Sequence, residues 1–153
     1  MMSMEELTEV IRPLAGVLAG VALDDADAAR QTIERQAPFE SELVNEIRKA
    51  AEAGAEAGWL LPKEAGGVRF GRVAKDLDGF SVDAVLMSSP GPRHRHPNGE
   101  IDLCFTTSGD ARFDGHGEGW VVYGPDSTHV PTVSDGEMLI LYFLPGAAIE
   151  FLG

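Results

Sequence analysis

The sequence predicts a mostly β fold: a double-sheet jelly-roll barrel with a helical N-terminal extension. Three observations point there. Up to about residue 60, apolar residues recur at helical spacing while glycine is sparse. Beyond it, Gly, Pro and Asp punctuate short apolar runs of strand length. Those runs number eight, the strand count of a two-sheet jelly roll. A chain of 153 residues is one domain in size and long enough to bury a core. The expected organisation is therefore residues 1–60 as the extension and 61–153 as the barrel, together one structural domain.

The elements follow in order. Ser3-x-x-Glu6 is a capping-box pattern that opens a first helix. Leu7, Val10, Ile11, Leu14, Val17 and Leu18 then form one apolar stripe, and Pro13 should kink or split it. Asp24 or Asp25 can cap a second helix running to about Gln36. Phe39, Leu43, Val44, Ile47 and Ala51 mark a third helix that fades at Gly54 and Gly58. No chemical cluster sits on these helices, so they read as a cap on the β-part or as an oligomer surface. Strands are expected over 68–74, 80–88, 100–106, 110–113, 119–123, 128–133, 137–144 and 147–151. Asp78-Gly79, Ser108-Gly109, Asp114-Gly115 and Asp135-Gly136 are among the turn signals between them.

Composition narrows the function classes. Net charge is −13, and acidic residues outnumber basic ones on both sides of residue 60, so no basic face offers itself to nucleic acid or anionic lipid. No run of 18 apolar residues could span a membrane. The start of the chain is acidic, unlike a secretory signal, and Cys104 is the single cysteine. A cytoplasmic protein without disulfides is the expectation. A homodimer is the default oligomer for a barrel of this size.

Chemistry concentrates in one place. Gly91-Pro-Arg-His-Arg-His-Pro-Asn-Gly-Glu100 contains His94-x-His96-x3-Glu100. On a strand, residues i and i+2 share a face, so the two imidazoles aim together. The Pro97-Asn98-Gly99 turn brings Glu100 back at the start of the next strand. Two imidazoles and a carboxylate with open positions suit a divalent transition metal, and His129 is a candidate fourth ligand. The competing reading makes these residues polar loop or hydrogen-bonding groups without a metal. His116, in a glycine-rich turn, reads as exposed. If Glu100 points inward, Asp102 and Cys104 share its face, and Ile101, Leu103 and Phe105 pack on the other. An inward Asp102 is a partner of a histidine, a proton-transfer group, or a residue at the barrel mouth in water. Cys104 reads as a small buried apolar residue.

The spacing resembles the paired motifs of the cupin family, whose fold is a double-stranded β-helix. His94, His96 and Glu100 match the core of the first motif, although its flanking glycines are displaced. In the second, Gly119 and Pro125 keep their five-residue gap, His129 arrives one residue early, and Val133 stands at the Asn position. A longer stretch is similar to the 4-hydroxylaminobenzoate lyase family. It comprises residues 91–105, Phe-Asp-Gly at 113–115, Gly-Trp-Val-Val-Tyr at 119–123, Pro-x-Ser-x-His at 125–129, Pro-Thr-Val at 131–133 and Met-Leu-Ile-Leu-Tyr at 138–142.

That resemblance implies conversion of 4-hydroxylaminobenzoate and water into 3,4-dihydroxybenzoate and ammonia in nitroaromatic degradation. It implies a small aromatic carboxylate as substrate, a divalent metal of unassigned identity, and no organic cofactor. Glu100, Asp102 and His129 are the candidate proton-transfer groups. Arg93 and Arg95, with Arg69 and Arg72 as competitors, are candidates for the substrate carboxylate. Trp120 and Tyr123 are candidates to line the pocket, although most such aromatics are core. Two other readings compete: a metal-dependent ring dioxygenase, and a binding module for an aromatic acid without turnover.

Overall fold

The computed structural model describes residues 3–152. Three helices come first: α1 Met4–Ala19, α2 Ala26–Gln36 and α3 Glu42–Ala57. The first two are capped as the sequence predicts, and Ser41 caps the third. Ser3 accepts the backbone N–H of Glu6, Asp25 that of Ala28 and Ser41 that of Val44. Pro13 does not split α1, which runs unbroken past it. Pro13 lies on the exposed side, so water can satisfy the carbonyl one turn earlier that loses its N–H. Gly54 does not weaken α3 either. It sits inside the helix because the Trp59 ring lies where a β-carbon would be, and Gly58 closes the helix at φ 92°.

Nine strands follow: β1 Lys63–Ala65, β2 Val68–Leu77, β3 Phe80–Met87, β4 His94–His96, β5 Glu100–Phe113, β6 Gly119–Tyr123, β7 Ser127–His129, β8 Val133–Pro145 and β9 Glu150–Phe151. They form a six-stranded antiparallel sheet in the order β1-β2-β3-β8-β5-β6 and a three-stranded sheet in the order β7-β4-β9. The architecture is the mostly β, cupin-type barrel with N-terminal helices. Two expected breaks are absent. Residues 100–106 and 110–113 are one strand, β5, because Ser108-Gly109 makes a bulge rather than a turn. Its partner β8 bends beside it at Asp135-Gly136. The expected strand over 128–133 ends at His129, and β8 begins at Val133.

The large sheet buries both faces. On one, Ile101, Leu103, Phe105, Leu139, Leu141 and Phe143 join the helix residues Leu7, Ile11, Leu14, Leu18, Ile33 and Ile47 in one apolar core. Each such side chain contributes about 1.5–3 kcal/mol by leaving water. Polar ties reinforce the seam. Trp120 Nε1–H donates to the Ala37 carbonyl at 2.9 Å, and Arg48 donates to the Thr106 carbonyl and to Glu118. The opposite face carries Cys104, Val121, Ile140 and Tyr142 into the barrel. Strand parity on β5 is thus as the sequence predicts. Among the described residues, no helix is long and apolar enough to cross a membrane.

Truncating a helix residue in the shared core tests how firmly the helices belong to the sheet. Leu14→Ala is expected to lower unfolding free energy by about 2–5 kcal/mol, read as a lowered urea midpoint at constant slope. A loss below about 1 kcal/mol would mean that the helices pack only loosely.

Candidate metal centre and pocket

The tight turn before β5 positions the first three residues. Gly99 adopts φ 87°, and a β-carbon there would meet the Tyr123 carbonyl oxygen at 2.7 Å, so only glycine fits. The turn therefore returns Glu100 beneath His94 and His96. Pairing of β4 with β7 supplies the rest: His94 lies directly opposite His129, and His96 opposite Ser127. The early arrival of His129 in the second motif is this register. It places Ser127 and His129 on the same face as the two β4 histidines.

The four side chains converge, each offering one ligand atom, with all four atoms within 4.8 Å of one another. His94 Nε2 and His129 Nε2 are 3.1 Å apart. Glu100 Oε1 is 3.2 Å from His96 Nε2 and 3.7 Å from His94 Nε2, while Oε2 is 3.8 Å from His129 Nε2. Glu100, His96 and His94 are buried, and His129 nearly so.

The other ring nitrogens decide the tautomers. His94 Nδ1 lies 3.1 Å from the Pro92 carbonyl, which can only accept. His96 Nδ1 lies 2.9 Å from Ser127 Oγ, whose own proton goes to the Gly124 carbonyl. His129 Nδ1 lies 2.6 Å from Asp114 Oδ2. Each Nδ1 therefore carries a proton, and each Nε2 presents a bare lone pair to the centre.

Two lone pairs facing at 3.1 Å beside a carboxylate repel one another unless positive charge lies among them. The hydrogen-bond inventory agrees, since both Glu100 oxygens and His96 Nε2 are buried without a partner. Burial alone would raise the Glu100 carboxyl, but the adjacent His94 and His96 rings outweigh it and bring it down to about 2. Positive charge among the rings, from a shared proton or a divalent ion, would satisfy all of these groups. Ligand atoms at about 2.1 Å from an ion sit roughly 3.0–3.4 Å apart in tetrahedral or octahedral shells. The shorter spacings here match, and three imidazoles with one carboxylate fit such an ion chemically.

Asp114, in the turn after β5, escaped the sequence reading as a site residue. It accepts His129 Nδ1–H, the Tyr123 hydroxyl and the Thr132 N–H. Burial pushes its carboxyl up, and these three hydrogen bonds outweigh that and hold it below the usual range. The signal was present only as Phe-Asp-Gly, which reads as turn chemistry. Tyr123 packs beside the His96 and His129 rings.

Asp102 is fully buried, with neither oxygen hydrogen-bonded. Burial first, then the charge of Glu100, push its carboxyl well above the usual range, so it stays protonated. A place at the barrel mouth in water is ruled out. Cys104 is likewise fully buried, and burial raises its thiol. His116 is exposed.

A cavity of about 420 Å³ opens onto this centre, with His94 and Glu100 in its wall. Phe70, Val85, Met87 and Leu144 give it apolar sides. Tyr142 also lines it, and its hydroxyl donates only to the weak acceptor Met87 Sδ at 3.7 Å. The sequence placed Tyr142 in a motif without marking it as a site residue. Other expected lining residues lie elsewhere. Trp120 belongs to the helix-side core. Arg95 points outward to Asp126 and Glu150, and Arg93 is exposed and outside the cavity wall.

Protein purified without an affinity tag and supplied with a divalent transition metal is expected to hold about one ion per chain. His96→Ala should lose it, and Asp114→Asn should weaken it roughly 10–100-fold by freeing the His129 ring. Elemental analysis with chelator competition reads both. A wild type that stays metal-free in supplemented buffer would sink the metal reading.

Comparison with known proteins gives a consistent picture. The family model described as PnbB, 4-hydroxylaminobenzoate lyase, matches residues 9–151. The chain is 30% identical over 124 residues to the 4-hydroxylaminobenzoate lyase of Nocardioides sp. (strain LMS-CY), covering 72% of this chain and 73% of that one. It is 27% identical over 148 residues to the Pseudomonas putida enzyme of the same name, covering 83% and 84%. Among solved structures, an RmlC-like cupin from Ralstonia eutropha JMP134 aligns at 16% identity and TM-score 0.42, over 57% of this chain and 68% of that one. A family match that spans nearly the whole chain, and includes all four converging residues, places this protein in the 4-hydroxylaminobenzoate lyase family.

Proposed function

We propose that this chain converts 4-hydroxylaminobenzoate and water into 3,4-dihydroxybenzoate and ammonia. The observation that carries the reading is an apolar, ring-sized cavity ending at Glu100 and His94 in a chain of this family. The reaction needs no oxidant. The N–O bond breaks with its electron pair leaving on oxygen, which departs as water. The electron-poor ring takes up water beside the nitrogen. Hydrolysis of the resulting imine with a second water releases ammonia, for a net uptake of one water.

The residues divide these tasks. Phe70, Val85 and Leu144 exclude bulk water and hold the ring by dispersion. Tyr142 keeps its proton, because burial and the nearby carboxylates push its phenol well up, and it donates a hydrogen bond to the departing oxygen. Glu100 accepts a hydrogen bond from the attacking water at Oε and orients it toward the ring. Asp102 holds a proton beside it and limits the build-up of negative charge. Asp114 keeps the His129 ring aimed through Nδ1. A divalent ion held by His94, His96, His129 and Glu100 would supply Lewis acidity toward the N–O group.

The reading extends to a cytoplasmic homodimer. Cys104 is a free thiol, and Phe151, 63% exposed on the small sheet, is an apolar ring that a second copy would cover. A monomer by light scattering would remove the dimer from the proposal.

Purified protein should release ammonia and 3,4-dihydroxybenzoate one-to-one without oxygen uptake. Glu100→Gln is expected to lower kcat at least about 100-fold, and Tyr142→Phe by a smaller factor. Oxygen consumption with ring cleavage would instead identify a dioxygenase and overturn the lyase reading.

A further inference from the structure

The cavity is lined by different chemistry at its two ends. Its inner end is walled by Glu100 and His94. Its Lys and Arg residues are Lys63 and Arg72, on β1 and β2 at the opposite side of the sheet. We propose that Arg72 and Lys63 form the subsite that binds the carboxylate of an aromatic acid, orienting the ring so that its para substituent meets Glu100 and His94. This rests on the reading of the cavity as an aromatic-acid site.

Register places these residues. Arg72 pairs with Asp83, Asp83 with Tyr142, and Tyr142 with Asp102, so one row crosses four strands on the inward face. Lys63 pairs with Phe70 and Phe70 with Val85 in the adjoining row. From β2 to β5 is three strand spacings, about 14 Å along the sheet before the side chains reach inward. A para-substituted benzoate fills what remains between an extended Arg72 and Glu100. Arg69 alternates with the lining residues Val68 and Phe70 and faces away. Arg95 is already paired outside.

Arg72 is also poised to accept an anion. Its Nε donates to Asp83 Oδ1, while its two terminal nitrogens make no hydrogen bond among the described residues. That leaves a fork for a carboxylate. Asp83 fixes the guanidinium in the wall, so little side-chain freedom is lost on binding. The need for local cations follows from the rest of the molecule. At net charge −13, the molecule as a whole disfavours an anionic substrate, so a carboxylate needs cations placed close to it.

The test compares binding of 4-aminobenzoate and of uncharged 4-aminobenzamide by calorimetry. Wild type should prefer the acid by roughly tenfold or more. Arg72→Gln should collapse that preference toward unity, Lys63→Gln should reduce it, and Arg72→Lys should retain part of it. Because the readout is a ratio within one variant, a general loss of stability does not mimic the effect. A preference retained in Arg72→Gln, or absent in wild type, overturns the proposal. Lyase turnover is assayed on the same wild-type sample. Acid preference without turnover would fell the lyase reading and leave this one standing.

Discussion

The structure turns on one buried carboxylate. Glu100 is ionised, fully buried and without a hydrogen-bond donor among the described residues. An isolated charge in such a place is costly enough that a protein normally neutralises it. Three imidazoles face it with their protons drawn to the far side by Pro92, Ser127 and Asp114, so compensation requires positive charge among them. Those three acceptors are not ornament. Any one of them lost would free a ring to turn over or to carry its proton inward.

Holding such a centre together requires a rigid frame, and β5 supplies it. Period-two alternation sends Glu100, Asp102 and Cys104 into the barrel and Ile101, Leu103 and Phe105 against the helices. The site is thus backed by the main apolar core of the molecule. A slip of one residue in β5 would bury its apolar side chains in the cavity and press two carboxyl groups against α1 and α3, so register is strongly specified. The helices, which carry no chemistry, act on function through this packing. The two ends of the cavity then differ in chemistry because different strands furnish them, Lys63 and Arg72 at one and His94 and Glu100 at the other.

Part of this was legible in the chain. His94-x-His96-x3-Glu100 needed only strand parity and the Pro-Asn-Gly turn to be recognised as a cluster, and parity alone brought Asp102 inward. Helix caps at Ser3 and Asp25 were readable because capping is local chemistry. The errors were of another kind. Pro13 and Ser108-Gly109 carry strong local signals, yet solvent exposure tolerates the first and a bulge absorbs the second. Arg95 and Trp120 were drawn to the site by proximity in sequence to its motifs. In the fold, alternation sends Arg95 outward to Asp126 and Glu150, and Trp120 toward the Ala37 carbonyl.

By itself, the sequence determined the mostly β class, the helical start, the turn chemistry and the His/Glu cluster. These depend on residues within a few positions of one another, where backbone geometry leaves few choices. Only the tertiary structure decided that Asp114 orients His129, that Tyr142 lines the cavity, and that Lys63 and Arg72 face Glu100 across it. Those relations come from strand order and register, which join β2, β8 and β5 although they lie far apart in the chain. Local periodicity says which face a residue is on. It does not say what stands opposite.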